Sequence, residues 1–175
     1  MVRVLGVPLL AHSPFLAFLL NHSREYALAL SFSVVEAWLT AKFAFSWRIG
    51  RALRSLVGVS LIVSGLIIRT TAMLTAGHSF DHHVVSDFSQ HQHHKLVTSG
   101  IYRRLRHPSY LGFFLFSIGC PLLLGSHLSA LLYTVILHKF FRERIWQEEA
   151  ALMRQYPQAY AQYKKAAYSG LPFVK

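Results

Sequence analysis

The sequence predicts an all-α integral membrane protein with about five transmembrane helices, and three observations lead to this fold class. Of the 175 residues, 53% are hydrophobic and only 14% are charged. The mean hydropathy is positive, at +0.36, which is typical of a polytopic membrane protein and unusual for a soluble domain. The formal net charge is +11, and the basic residues lie between long apolar runs, as they do where cytosolic flanks meet anionic lipid. We therefore expect residues 1–175 to form a single membrane-embedded domain.

Five apolar segments fill most of the chain. A continuous apolar run in lipid must be helical, because only a helix satisfies its own backbone groups there. The second segment contains Glu36 and the third contains Arg69; these two charges are expected either to pair with each other or, for Arg69, to serve a polar cavity. Only Gly125 and Ser126 separate the last two segments, which predicts a tight antiparallel hairpin. The five segments are about Val4 to Leu20, Tyr26 to Trp47, Leu53 to Ala76, Pro108 to Leu124, and His127 to Phe141.

A polar loop from Gly77 to His107 joins the third and fourth segments, and a cationic tail follows the fifth. Because the hairpin crosses the membrane twice, the loop and the tail lie on the same side. Basic residues crowd both segments, which predicts that this side is cytosolic. Arg48, Arg51 and Arg54, across the third segment, favour the opposite orientation, but they are fewer. The basic residues of the loop and tail include Lys95, Arg103, Arg104, Arg106, Arg142, Arg144, Lys164 and Lys165.

The tail is predicted to contain two helices. Side chains at i, i+3, i+4 and i+7 from Glu149 share one helix face. Pro157 interrupts this pattern and predicts the start of a second short helix at its first position. Gly170 and Pro172 predict the end of that helix.

The pentapeptide Arg106-His107-Pro108-Ser109-Tyr110 stands at the start of the fourth segment. Pro108 suits the first turn of a helix, where its missing N–H costs nothing. The free N–H groups of that turn attract an anion such as a carboxylate, and Arg106 and His107 can add donors. The alternative is a membrane helix with an ordinary basic flank at the interface.

Arg144 and Glu148 are four residues apart and therefore share a helix face. They could form a structural ion pair, or they could hold two parts of a polar ligand, and the spacing leaves both open. Six histidines crowd residues 78–94 of the polar loop, but without firm ligand spacing or a cysteine they do not predict a metal site. The sequence also lacks the Gly-x-Ser-x-Gly motif of serine hydrolases and a phosphate-binding Gly-rich loop.

Four motifs, in order, give the chain a resemblance to the isoprenylcysteine carboxyl methyltransferases, integral membrane enzymes that use S-adenosyl-L-methionine. The resemblance covers about Val35 to Lys175. The motifs are IIRTTAMLTAGHSFDHHVV, HKLVTSGIYRRLRHPSY, FFRERIWQEEAAL and YAQYKKAAYSGLPF. The first resembles the family's third-span exit, the second its cofactor motif, and the last two its C-terminal cofactor and substrate region.

The resemblance implies a role for each of eleven residues. His94, Lys95, Leu96, Val97 and Tyr102 would bind the nucleoside part of the cofactor, and His107, Pro108, Ser109 and Tyr110 would form the wall near its methionine end. Glu148 would also contact the cofactor. Arg144 would face the substrate carboxylate and is the implied catalytic residue. The tail helices would close over the cofactor.

The reaction that the resemblance implies is methyl transfer from S-adenosyl-L-methionine to the C-terminal carboxylate of prenylated cysteine in processed CaaX proteins, small GTPases among them. The implied location is the membrane of the endoplasmic reticulum, with the site facing the cytosol. Two alternatives stay open. Phospholipid N-methyltransferases resemble the chain at the Arg-His-Pro motif, and a non-catalytic membrane scaffold would use the same charges only as structural pairs.

Overall fold

The computed structural model describes residues 24–43, 48–77 and 96–174, and these residues are helical apart from short connections. An isolated parallel bridge joins Leu105 to Tyr168. The predicted segment from Val4 to Leu20 and most of the polar loop lie outside the described residues. The helices are α1 (Arg24–Phe43), α2 (Arg48–Ala76), α3 (Pro108–Leu124), α4 (His127–Gln155) and α5 (Pro157–Ala166), with a 3-10 turn at Gly100–Arg103 before α3. The all-helical class that the sequence predicts is confirmed for this part of the chain.

Glycines bring the backbones of α2 and α3 together, and these two helices form the most extensive helix pair. A Cβ atom added to Gly65 would lie 2.6 Å from the carbonyl oxygen of Gly112, and one added to Gly119 would lie 2.8 Å from that of Gly58. Gly58 and Gly65 are seven residues apart in α2, and so are Gly112 and Gly119 in α3. The two glycines of each helix therefore fall on the same face of that helix. Small residues at such spacing allow close approach of membrane helices. This contact fixes the position of α3, and therefore of the motif at its start.

The predicted hairpin between α3 and α4 is confirmed. Gly125 adopts the left-handed conformation with φ of 90°, which ends α3, and Ser126 donates its N–H to the carbonyl of Pro121 at 2.8 Å. The fifth apolar segment, about His127 to Phe141, and the first predicted tail helix form one helix, because α4 continues without a break to Gln155. No glycine or proline interrupts residues 127–155, so the change from apolar to charged residues marks a change of environment and not the end of a helix.

The second tail helix starts at Pro157 as predicted but ends at Ala166, before Gly170. Ala167 is extended, and Tyr168 then pairs with the backbone beside Leu105. Backbone groups that bond to another segment cannot also continue the helix, which explains the earlier end.

Glu36 and Arg69 act at opposite ends of α3, about 25 Å apart for a helix of this length. The carboxylate of Glu36 accepts hydrogen bonds from the N–H groups of Leu128 (2.7 Å) and Ser129 (2.9 Å), and so caps the start of α4. Arg69 is buried and donates to the carbonyl and hydroxyl oxygens of Ser109 at 3.3 and 3.2 Å. The suggested pairing of the two charges is therefore wrong, and Arg69 instead supports the first turn of α3.

Within the described residues, one helix is long and apolar enough to cross a membrane: residues Gly50–Ala76 of α2, with a mean hydropathy of 1.8. Helix α3 is apolar but shorter, at 17 residues. Both α2 and α4 expose large apolar side chains such as Leu74 (77%) and Val135 (61%). Exposed apolar faces of this kind are typical of surfaces that meet lipid. The number of five spans stays a prediction.

Candidate active site

The candidate site lies at the N-terminal end of α3, which we call the mouth of this helix. Here the C-terminal segment is hydrogen-bonded to the residues just before α3. Arg106 donates its N–H to the carbonyl of Tyr168 at 2.7 Å, and His107 donates to that of Ser169 at 3.1 Å. In return, Tyr168 donates its N–H to the carbonyl of Arg104 at 2.9 Å. These backbone bonds place the tail directly over the Arg-His-Pro motif.

Arg106 is buried and binds groups of its own chain. Its Nε donates to the carboxylate of Glu149 at 2.8 Å, and its Nη1 donates to the carbonyls of Lys164 and Ala167. We expected Arg106 to donate hydrogen bonds to a bound anion, and for Nε and Nη1 this expectation is wrong, because both atoms donate to groups of the protein itself. These bonds join the start of α3 to both tail helices.

Glu149 lies at the centre of a cluster of charged side chains at this site. Its carboxylate accepts hydrogen bonds from Arg106 and Lys164 and lies 3.2 Å from Nε2 of His107. Burial alone would raise the pKa of Glu149, but the hydrogen bonds from His107 and Lys164 and the charge of Arg106 outweigh burial and lower the pKa to about 2. The periodicity of the tail places Glu149 on a helix face but assigns it no role. The adjacent acidic pair Glu148-Glu149 in a helix of a strongly basic protein was the available signal.

A second chain of contacts runs from His107 to Arg144. Nδ1 of His107 lies 3.6 Å from the carboxylate of Glu148, and the hydroxyl of Tyr110 donates to the same carboxylate at 2.7 Å. Nε of Arg144 donates to the Tyr110 hydroxyl at 3.0 Å. The Tyr110 ring stacks on His107 and on Phe141, at centroid distances of 5.6 and 5.1 Å. Tyr110 therefore holds Glu148, a predicted cofactor residue, next to Arg144, the predicted substrate residue.

The two carboxylates change the protonation of this cluster. Burial alone would lower the pKa of His107, but its hydrogen bonds to Glu148 and Glu149 outweigh burial and raise the pKa. Burial alone would raise the pKa of Glu148, but its contacts with His107, Tyr110 and Arg144 outweigh burial and lower the pKa. Arg106, Lys164, Arg144 and His107 therefore surround the two carboxylates and favour their ionised form.

The structure brings together four of the predicted site residues: His107, Tyr110, Arg144 and Glu148. Tyr102 is partly buried, and its burial and the negative charge of Glu148 both raise the pKa of its hydroxyl. The remaining predicted residues frame these groups or lie outside the described part. Pro108 and Ser109 are buried in the first turn of α3, Leu96 and Val97 are partly buried before the 3-10 turn, and His94 and Lys95 lie outside the described residues.

Tyr163 was not predicted as part of the site. Its hydroxyl donates to the carbonyl of Tyr102 at 2.6 Å and also contacts that of Leu105, so α5 positions the 3-10 turn. Lys164, also missed, does the same for Glu149. No sequence pattern links these residues to the motif about 60 residues earlier; only the packing of α5 does.

The residues present fit a small ligand with both charged and apolar parts. The side chain of Glu148 is 34% exposed and can accept hydrogen bonds from an ammonium group. Six buried polar side-chain atoms have no hydrogen-bond partner among the described residues. Two of them, Nη2 of Arg106 and Oγ of Ser169, belong to the motif and to the tail segment paired with it. Such atoms in a native fold call for a ligand or a water molecule.

Residues 57–154, more than half of the chain, match the sequence model of the isoprenylcysteine carboxyl methyltransferase (ICMT) family. The chain belongs to this family.

Individual relatives agree with the family assignment. The protein-S-isoprenylcysteine O-methyltransferase of Xenopus laevis is 42% identical over 91% of this chain and 54% of its own length. The enzyme of the same name from Saccharomyces cerevisiae is 40% identical over 95% of this chain and 70% of its own length. A solved structure of the eukaryotic intramembrane Ras methyltransferase ICMT superposes with a TM-score of 0.80 at 36% identity, covering 91% of this chain and 56% of that one. The chain thus spans about half the length of several relatives.

Proposed function

We propose that this chain is a membrane-embedded methyltransferase that transfers a methyl group from S-adenosyl-L-methionine to the C-terminal carboxylate of prenylated cysteine in processed CaaX proteins. The observation that carries the proposal is the Tyr110 hydroxyl, which lies between Glu148 and Arg144. A carboxylate for a cationic donor and a guanidinium for an anionic acceptor therefore stand next to each other. The names of the relatives support the same reaction.

The cofactor would lie at the mouth of α3. His94, Lys95, Leu96, Val97 and Tyr102 would hold its nucleoside part, and His107, Pro108, Ser109 and Tyr110 would form the wall at its methionine end. The partly exposed carboxylate of Glu148 would bind the cofactor's ammonium group. S-adenosyl-L-methionine, when bound, supplies an electrophilic methyl group on a sulfonium centre. Glu149 would not touch the ligand but would hold His107 and Arg106 in place.

The acceptor carboxylate would be oriented by Arg144. A carboxylate is already ionised at neutral pH, so the reaction needs no general base. The protein must instead bring two charged groups into line and exclude water. Arg144 is fixed for this purpose by its hydrogen bond to Tyr110, and its guanidinium lies 5.6 Å from the centre of the same ring. The tail over the motif would keep water out.

The substrates would reach this site from the membrane. A prenyl chain partitions into the bilayer, and the exposed apolar faces of α2 and α4 support a position of the protein in the same layer. Small GTPases and similar prenylated proteins would be the partners, and the endoplasmic reticulum the location. The loop from Gly77 to His107 and the tail would face the cytosol.

The test uses the purified chain, S-adenosyl-L-methionine labelled in its methyl group, and two acceptors offered separately. With a farnesylcysteine analogue we expect label in a base-labile methyl ester. Phosphatidylethanolamine is the second acceptor, and it should stay unlabelled. Label in the phospholipid alone would identify a phospholipid N-methyltransferase instead, and absence of both products together with absence of saturable S-adenosylhomocysteine binding would leave a non-catalytic scaffold.

A further inference from the structure

A groove of about 530 Å³ lies between the 3-10 turn and the C-terminal end of α5. None of the residues proposed above to bind cofactor or substrate lines it. Its lining includes Ile101, Arg103, Arg104, Leu105, Ala166 and Tyr168. The groove is therefore separate from the residues proposed for methyl transfer.

The groove is cationic at its rim. Residues 96–107 and 157–174 together contain five lysine or arginine residues and no acidic one. Arg106 and Lys164 are neutralised by Glu149. Arg103 and Arg104 are exposed, and no ion pair within the described part of the chain joins either of them to a carboxylate. Two consecutive arginines thus border the groove, and neither forms an ion pair within the described residues.

The groove lies at the level where α2 leaves the apolar region. A Cβ atom added to Gly100 would lie 2.8 Å from Cγ2 of Thr75, so the 3-10 turn packs directly on the last turn of the membrane-length helix Gly50–Ala76. The polar headgroups of a bilayer are found at the ends of such helices. Tyr168 is 80% exposed beside the groove, and tyrosine is enriched at this depth of a membrane.

We propose that this groove binds an anionic phospholipid. The phosphate would lie between Arg103 and Arg104, whose planar guanidinium groups match phosphate oxygens in pairs. The glycerol and the upper acyl carbons would cover Ile101, Leu105 and Ala166. A free phosphate would leave these apolar residues facing water, whereas a lipid covers them, so charge and apolar surface together select the lipid. The proposal depends on the position of the chain in a membrane and not on its methyl-transfer activity.

Binding is measured by native mass spectrometry of the purified full chain with phosphatidylglycerol or phosphatidylcholine of identical acyl chains. The test variant is Arg103→Gln/Arg104→Gln. Its matched control is Arg142→Gln/Arg154→Gln, which removes the same charge from two exposed arginines of α4 that do not line the groove. Ala166→Trp fills the groove at unchanged charge, and it serves as the second test if the arginine variant does not fold.

We expect the parent chain and the control to retain phosphatidylglycerol in preference to phosphatidylcholine. A basic residue at a membrane surface changes affinity roughly fivefold, so the double groove variant should lose on the order of twentyfold or more. Ala166→Trp should weaken binding of both lipids at the groove. The proposal is overturned if the parent shows no preference, if the control loses as much as the groove variant, or if excess inorganic phosphate displaces the lipid completely, which would identify a site for free phosphate.

Discussion

The hydroxyl of Tyr110 lies 2.7 Å from the carboxylate of Glu148, although 38 residues separate them in the sequence. This hydrogen bond connects the Arg-His-Pro motif at the start of α3 with the charged half of α4. The same hydroxyl accepts a hydrogen bond from Arg144 at 3.0 Å. The proposed cofactor and substrate residues therefore share one anchor.

Tyr110→Phe removes this anchor but keeps the ring that stacks on His107 and Phe141. A hydrogen bond to a charged group contributes about 1.5–3 kcal/mol, so we expect S-adenosylhomocysteine affinity, measured by calorimetry, to fall roughly tenfold. The control is Tyr133→Phe, which removes a hydroxyl bonded to Ser33, away from the site. Equal affinity of the Tyr110→Phe variant and the parent chain would show that the anchor has no part in binding.

Arg144 and Glu148 should respond differently to substitution. Arg144→Ala should abolish methylation and leave S-adenosylhomocysteine binding nearly intact, because its proposed partner is the substrate carboxylate. Glu148→Ala should weaken that binding roughly tenfold or more. Arg144→Lys keeps the charge without the planar fork and should restore only part of the turnover. Binding is measured by calorimetry beside turnover and thermal melting.

The competing explanation for Arg144 and Glu148 is a purely structural pair. In that case both alanine variants would bind S-adenosylhomocysteine normally and would differ from the parent only in melting temperature.

Glu149→Gln should destabilise the fold, because it leaves Arg106 buried without its carboxylate. Removal of one partner from a buried ion pair costs about 3–5 kcal/mol. The folded-state pKa of Glu149, about 2, is below the ordinary glutamate value of 4.5, so its stabilisation is fully present above pH 4.5 and is lost as the pH falls towards 2. The shift corresponds to a contribution on the order of 3 kcal/mol.

The measurement for Glu149 is the melting temperature of the parent chain and of the Gln variant between neutral and acid pH. We expect the parent to lose stability below pH 4.5 more steeply than the variant. Parallel curves for the two proteins would exclude Glu149 as a source of acid sensitivity. The control is Glu143→Gln, at an exposed position of the same helix. Its melting temperature should depend on pH in the same way as that of the parent.

Gly65→Ala tests the contact between α2 and α3. Alanine ordinarily stabilises a helix relative to glycine by about 1 kcal/mol, but here the new Cβ would lie 2.6 Å from the backbone of Gly112. We therefore expect destabilisation of about 1–3 kcal/mol, with weaker S-adenosylhomocysteine binding because α3 carries the motif. Val63→Ala, at an exposed position of α2, is the control and should change stability by less than about 0.5 kcal/mol. A rise in melting temperature for Gly65→Ala would contradict the close contact.

Features that depend on neighbouring residues could be predicted from the sequence. Pro108 and Pro157 start helices, Gly125 and Ser126 make the hairpin, and continuous apolar runs are helical. Helix starts, turns and apolar periodicity are local properties of the chain, so a short stretch of residues is enough to specify each of them. The ordered motifs indicate the family for the same reason, because each motif is a run of adjacent residues.

Which charges meet depends on the tertiary structure. Arg106 and Glu149 are 43 residues apart, and their contact exists because the glycine faces of α2 and α3 set the depth of α3 while α4 continues past Phe141. Glu36 caps α4 for the same reason: the partner is chosen by packing across helices. A pairing between distant residues depends on the position and rotation of whole helices, which local patterns do not encode. The acidic pair Glu148-Glu149 stands out in the sequence, but the role of Glu149 at the centre of the site follows only from the folded chain.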